Sequence, residues 1–241
     1  MRTISPHCGG VYNFNILCYN RRMKQYWEIP GPSKAPKTHC IAFCKYDGSN
    51  LRFEWSKKRG WYKYGTRRRL FDERDPEFGP AVQIFQETYA DNISKILRDN
   101  KHYRGVEAAI AFCEYFGPSS FGCYQDWSEP HELMLFDMAI HKKGMVLPRD
   151  FVNDFGGLKS AQVVYEGNFS DQFVQDVREG RYPVVEGVVA KGVIDGKRAN
   201  DQHGLWMSKV KTNGWLTELR RRAEIDPSFR QAFAENSSEQ G

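Results

Sequence analysis

Short apolar runs broken by turn residues dominate the chain, with helical spacing in only a few places. Ile41-Ala42-Phe43-Cys44 is an apolar run that ends at Lys45, and Asp47-Gly48 follows as a turn. Leu51-Arg52-Phe53-Glu54-Trp55 then alternates, as a half-buried strand does. The pattern from Ile41 to Tyr64 predicts strand, turn, strand, with Ser56 to Gly60 as a connecting loop. It sets an amine at the mouth of a strand-turn-strand unit.

Between Phe78 and about Asn100, Val82, Phe85, Tyr89, Ile93 and Ile96 recur three and four apart, which predicts a helix with Pro80 in its first turn. Val106 to Tyr115 and Glu132 to His141 predict buried strands, the first ending at Gly117-Pro118 and the second at the turn Lys142-Lys143-Gly144. Ser170 to Glu179 predicts a short helix with a capping Ser. Val184 to Lys191 and Leu205 to Lys211 predict two more strands, and Trp215 to Arg222 a last helix before a polar, frayed tail from Glu235. Residues before Lys45 predict a loose lead-in with a short strand or two. The fold class is α+β, antiparallel sheets with flanking helices, and neither a repeat nor a linker divides residues 1–241 into domains.

Composition narrows this only a little. A net charge of +5 permits contact with a polyanion without requiring it. Basic clusters occur at Lys57-Lys58-Arg59, Arg67-Arg68-Arg69 and Arg220-Arg221-Arg222, and Arg59-Gly60-Trp61-Tyr62-Lys63-Tyr64 mixes basic and aromatic residues. Such mixing suits a nucleic-acid surface and equally an amphipathic strand. The six Cys include no Cys-x-x-Cys pair. His39, Cys40 and Cys44 are close enough to suggest a metal site, but reduced thiols are the favoured reading. With neither an apolar leader nor a run long enough to span a bilayer, the expectation is a soluble, intracellular (cytoplasmic) protein and no membrane partner.

Candidate chemistry lies in charges set on apolar strands, which are costly unless paired or used. Glu114 ends a buried strand, Asp137 follows Phe136 inside an apolar one, and Glu186-Gly187 sits in a Val-rich one. Lys209 and Lys211 share a strand face, two residues apart. Each charge alone reads as a satisfied ion pair. With Lys45 they form a set: one amine nucleophile, several carboxylates and two further cations. A free Lys has a pKa of about 10.4, so neutralising it near pH 7 costs roughly 4 kcal/mol. Nearby cations or a divalent metal lower that cost. Carboxylates such as Glu186 suit Mg²⁺, and cations suit a phosphoryl group in transfer.

The ordered segments Lys45-Tyr46-Asp47-Gly48, Phe112-Cys113-Glu114, Phe136-Asp137, Glu186-Gly187 and Lys209-Val210-Lys211 resemble those of the covalent nucleotidyltransferases, the superfamily of ATP-dependent ligases and mRNA capping enzymes. The chain looks most like the RNA ligase 2-like group. The resemblance implies a nucleotidyltransferase (ATP-grasp-like ligase adenylation) domain. It implies that Lys45 takes AMP from ATP, with Asp47 and Gly48 supporting it. Glu114 would contact ribose, and Phe136 would stack on adenine beside Asp137. Glu186 would help bind Mg²⁺ or Mn²⁺, and Lys209 and Lys211 would contact the α-phosphate. An essential Arg follows the first segment in such enzymes. Arg67 is the choice here, with Arg52, Arg68 and Arg69 as alternatives.

The implied activity is an ATP-dependent RNA ligase that joins a 5′-phosphate to a 3′-hydroxyl, as in RNA repair. A DNA ligase, a GTP-using capping enzyme and a non-catalytic RNA-end-binding module are the alternatives. The sequence departs from the superfamily after Lys211, where only about one helix and a tail follow and no C-terminal oligonucleotide-binding (OB) barrel is foreseen. A complete small enzyme, or one completed by a partner protein, is expected.

Overall fold

A computed structural model describes residues 25–122, 124–194 and 204–237. Much of the expected lead-in, the end of the tail, and Cys8, Cys18 and Cys123 lie outside these residues. Two antiparallel sheets carry the fold. The first has four strands: β1 (His39–Lys45), β8 (Val163–Asn168), β9 (Gly187–Val193) and β10 (Leu205–Lys211), in the order β10-β9-β1-β8. The second has six: β2 (Ser49–Ser56), β3 (Gly60–Thr66), β4 (Leu70–Phe71), β5 (Ala108–Phe116), β6 (Glu132–Ile140) and β7 (Gly144–Met145), in the order β4-β3-β2-β5-β6-β7.

β1 and β2 are therefore not a hairpin. β1 pairs with β8 and β9, while β2 pairs with β3 and β5. The Asp47-Gly48 turn carries the chain from one sheet to the other. A Cβ on Gly48 would strike the Tyr115 carbonyl of β5, so the crossover passes too close to that strand for a side chain. The true hairpin is β2–β3, closed by the loop foreseen at Ser56 to Gly60.

The predicted long helix is present as α1 (Gly79–Phe85), a five-residue π turn (Gln86–Ala90) and α2 (Asp91–Asp99). The π turn holds Tyr89, whose hydroxyl lies 2.7 and 2.8 Å from the Leu133 and Lys159 carbonyls and shares its one proton between them. Phe85 stacks on Phe53 of β2 at 3.9 Å, at the centre of the largest core cluster. α3 (Pro148–Phe155) brings Phe151 edge-on to Phe43 of β1. α4 (Asp171–Arg178), capped by Ser170 as expected, buries Phe173 and Val177 against the first sheet. α5 (Asn213–Ile225) and α6 (Ser228–Ser237) pack together through Trp215, Leu219, Ala223 and Phe229. Among the described residues, no strand follows β10.

The predicted strand at Val184 to Lys191 begins only at Gly187. Val185 is 80% exposed, outside the ladder. Gly187 has a φ of 153°, and a Cβ there would collide with the Val210 carbonyl and the Lys211 backbone of β10. Gly187→Ala is expected to force β9 from β10 beside the buried Glu186 and destabilise by about 1–3 kcal/mol. A thermal melt checks this, and an unchanged Tm would contradict it.

Candidate active site

Strand register sets three positions in one row. Lys45, the last residue of β1, lies opposite Gly187 of β9, and Gly187 lies opposite Lys211, the last residue of β10. Glu186 is held just before β9 by the corner that opens α5. The Thr212 N–H donates to the Glu186 carbonyl at 2.9 Å, and its hydroxyl donates to the Val185 carbonyl at 2.8 Å. The same hydroxyl accepts from the Trp215 N–H as the cap of α5. The buried Glu186 carboxylate thus meets Lys45 Nζ at 2.8 Å through Oε2 and Lys211 Nζ at 2.7 Å through Oε1. The Lys211 ammonium also stands 3.8 Å from the centre of the Trp215 ring.

Asp47 fastens this corner to the crossover. Its Oδ2 accepts from the Trp215 indole N–H at 2.7 Å and from the Gly122 N–H at 2.8 Å. Burial opposes the charged form of Lys45, but Glu186, Glu114 and Asp47 outweigh it and hold the amine above its ordinary pKa. This reverses the expectation that nearby cations make Lys45 easier to neutralise, because its strongest neighbours are carboxylates. Burial draws the Lys211 amine down despite Glu186, with Lys45 adding to the fall. Burial pushes the Glu114 carboxyl up to about 7, with Lys45 opposing and Glu186 and Asp47 reinforcing the shift.

A cleft of about 580 Å³ opens beside Lys45, between the two sheets. Its lining includes Glu114, Phe136, Arg67, Phe78 and Lys191, and its size suits a small-molecule site. Asp137 does not face the cleft chemistry. It is buried, and its Oδ2 accepts from Tyr26 Oη at 2.6 Å and from Lys191 Nζ at 2.8 Å. Lys191 also donates to the Phe136 carbonyl at 2.8 Å, tying β9 of the first sheet to β6 of the second. Sequence reasoning missed Lys191 and Tyr26. Lys191 was findable, because it is a charge on the same Val-rich strand that drew attention to Glu186.

The arginines separate clearly. Arg52 is buried, pairs with Glu54 and donates to the Thr66 carbonyl. Arg69 pairs with Asp75 and Glu77 and lies over the Phe78 ring. Arg67 and Arg68 are exposed residues on the cleft wall, and the charge of Arg67 acts on Glu114. Lys209 borders a separate small hollow with Arg178, Pro32 and Lys211 rather than the main cleft. Trp61, in the basic-aromatic run, is a packing residue: its indole donates to Ala90 and Ser94 and its ring meets Phe85. Cys40 packs in the core beneath the first sheet, while Cys44 borders the cleft.

No protein-family model matches the chain, and no curated protein matches it. Solved structures do. Naegleria gruberi RNA ligase with pyrophosphate matches with a TM-score of 0.56 at 12% identity, over 83% of this chain and 59% of that one. An archaeal ATP-dependent RNA ligase matches with a TM-score of 0.53 at 15% identity, over 83% of this chain and 52% of that one. The fold is that of an RNA ligase nucleotidyltransferase domain. At this identity the likeness establishes the fold alone, and the chain spans between half and three fifths of the length of those ligases.

The RNA-ligase fold raises the question of a metal. Another structure of the Naegleria ligase, with a TM-score of 0.52, contains AMP and Mn. Among the described residues, no group of three His, Cys, Asp or Glu side chains is arranged to hold a metal ion. Mg²⁺ and Mn²⁺ suit oxygen donors, and Mg²⁺ commonly takes one or two carboxylates plus substrate phosphates. Asp47, Glu114 and Glu186 surround Lys45. Asp47 and Glu186 are held by hydrogen bonds within the chain, and burial pushes Glu114 up to about 7. A cation here would therefore take most of its oxygens from substrate phosphates. Both Glu186 oxygens are engaged by lysines, which leaves Glu114 as the carboxylate on the cleft wall.

Proposed function

We propose that this chain is an ATP-dependent RNA ligase that works through AMP bound covalently to Lys45. The observation that carries the reading is the row Lys45–Glu186–Lys211 at the edge of a nucleotide-sized cleft. In the first step Lys45 Nζ, having given up a proton, bonds to the α-phosphorus of ATP. The bond from that phosphorus to the bridging oxygen breaks, and pyrophosphate leaves with the electron pair. Glu186 Oε2, already 2.8 Å from the amine, orients Lys45. Against burial, Lys45 and Lys211 hold the Glu186 carboxyl below its usual range, so the amine's proton goes to solvent. Lys211 meets the charge on the α-phosphate, and Phe136 offers its ring to the base. Arg67 meets phosphate oxygens at the cleft wall, and Glu114 binds ribose hydroxyls. Bound Mg²⁺ or Mn²⁺ would neutralise phosphate charge, with Glu114 as the cleft carboxylate not already taken up by a lysine.

In the second step a 5′-phosphate oxygen of RNA displaces Lys45 from the phosphorus, giving an AMP-capped RNA end. In the third, a 3′-hydroxyl attacks the RNA 5′-phosphorus and releases AMP. The test is sealing of 5′-phosphorylated RNA with ATP and Mg²⁺ or Mn²⁺, beside matched DNA and with GTP in place of ATP. Joining of RNA with ATP supports the reading. Equal joining of DNA, or use of GTP alone, would replace it with the DNA ligase or capping alternative.

Because carboxylates hold Lys45 as an ammonium, its reactive fraction grows about tenfold per pH unit below its pKa. The rate of AMP attachment is therefore expected to climb between about pH 6 and 9. The climb should flatten near pH 7, where Glu114 ionises and grips the ammonium harder. Single-turnover labelling across pH checks this, and a rate that falls over the range would contradict it.

A further inference from the structure

The rim of the cleft carries an aromatic platform that the nucleotide chemistry leaves unused. Trp127 lies in the loop joining β5 to β6, and two hydrogen bonds pin that loop to the Lys45 segment. The Gly122 N–H donates to Asp47 at 2.8 Å, and Gln125 Nε2 donates to the hydroxyl of Ser49, a cleft residue, at 2.7 Å. Trp127 stacks on His131 at 5.4 Å and 13°, and His131 stacks in turn on Tyr115 at 4.7 Å. Its edge meets Phe78, on the cleft wall, at 5.2 Å. Despite these supports Trp127 stays 40% exposed, and Tyr124 in the same loop is 46% exposed.

A large ring braced from behind and open to water loses little freedom when another flat ring stacks on it. Any nucleobase has such a face, and stacking on an exposed aromatic beside cations is how single strands are held. The cations are present: Arg69 lies over the same Phe78 ring, and the exposed Arg67 and Arg68 share the cleft wall. Arg69 pairs with Asp75 and Glu77, whereas Asp126 and Glu129 are held by the neutral Ser128 and Ser119, which leave their charge in place. The attraction at this ring is therefore stacking rather than net charge. We propose that Trp127 stacks on a base of the RNA strand whose end is presented to Lys45, while Arg68 meets its phosphates. This rests on the ligase reading for the identity of the polymer and adds where the strand lies.

The experiment uses 5′-phosphorylated RNA oligonucleotides carrying the fluorescent base 2-aminopurine at the 5′- or the 3′-terminal nucleotide. The full chain, Trp127→Phe and Trp127→Ala are compared for affinity, base quenching, melting temperature and AMP uptake from ATP. Trp127 is not part of the nucleotide cleft lining, so Trp127→Ala should take up AMP as the parent does. Its melting temperature should be lowered by the lost contacts to Phe78 and His131, while Trp127→Phe should melt closer to the parent. It should bind RNA about tenfold more weakly, with quenching lost for at least one labelled end, and Trp127→Phe should restore both. Parent-like binding and quenching by Trp127→Ala would overturn the proposal. So would loss of AMP uptake together with RNA binding, which would mark Trp127 as structural. A parent protein that quenches the RNA through Trp127 yet takes no AMP from ATP would support the platform and sink the ligase reading.

Discussion

Lys45→Arg is expected to be as inert as Lys45→Ala in taking AMP from ATP. Alanine removes the nucleophile outright. Arginine tests something subtler, because it keeps the positive charge beside Glu186 and the ion pair that organises the corner. It fails for another reason: a guanidinium is always protonated in a protein, so it has no lone pair for the phosphorus. Even Lys45 is poorly prepared, since its carboxylate neighbours hold it as the ammonium. Its neutral fraction at pH 7 is below about one in a thousand. Labelling with ATP carrying ³²P at the α-phosphate, followed by denaturation, reads the result. Both variants should show no covalent label, and Lys45→Arg, which keeps the charge beside Glu186, should melt near the parent. Label retained in Lys45→Arg would place the nucleophile elsewhere.

Asp137→Ala should cause the largest loss of stability. Asp137 and Lys191 form an ion pair whose side chains are 1% and 4% exposed, and Tyr26 shares the carboxylate. Removing the acid strands a buried ammonium, which costs about 3–5 kcal/mol. For a chain of this size that lowers Tm by roughly 10 °C. The pair also joins the two sheets through the Phe136 carbonyl, so the cleft should loosen as the melt falls. The double variant Asp137→Leu, Lys191→Met removes both charges and keeps apolar volume, so it should recover most of the lost stability. A fall of under about 2 °C in Asp137→Ala would show that water or movement compensates the ammonium.

Local pattern was readable wherever one element explains itself. The helical spacing of Val82, Phe85, Tyr89 and Ile93 gave the α1–α2 stretch, and Ser170 gave the cap of α4. The order of the five segments pointed to the fold. Pairing was not readable, because Asp47-Gly48 looks like a hairpin turn whether its strands meet each other or not. The partners of β1 lie far away in sequence, at Val163–Asn168 and Gly187–Val193. β8 was missed because it alternates weakly and carries Glu166, Gly167 and Asn168. α3 was missed although Pro148 marks its first turn as Pro80 marks that of α1.

In the site, residue types were legible but not who faces whom. Lys45, Glu186 and Lys211 converge in one charged cluster. Asp137 instead serves the buried pair with Lys191. Lys209 stands one hollow away from the cleft. The sign of the shift at Lys45 depends on three carboxylates from three different segments, and only the folded chain brings them together.

The most direct test of the central claim is the mass of the purified protein before and after incubation with ATP and Mg²⁺, with any adduct located by peptide mapping. The account predicts one added AMP on the peptide that contains Lys45, removed again when pyrophosphate is supplied. Protein that is folded and free of AMP at the outset, yet gains no mass from ATP or carries AMP on another residue, would contradict it.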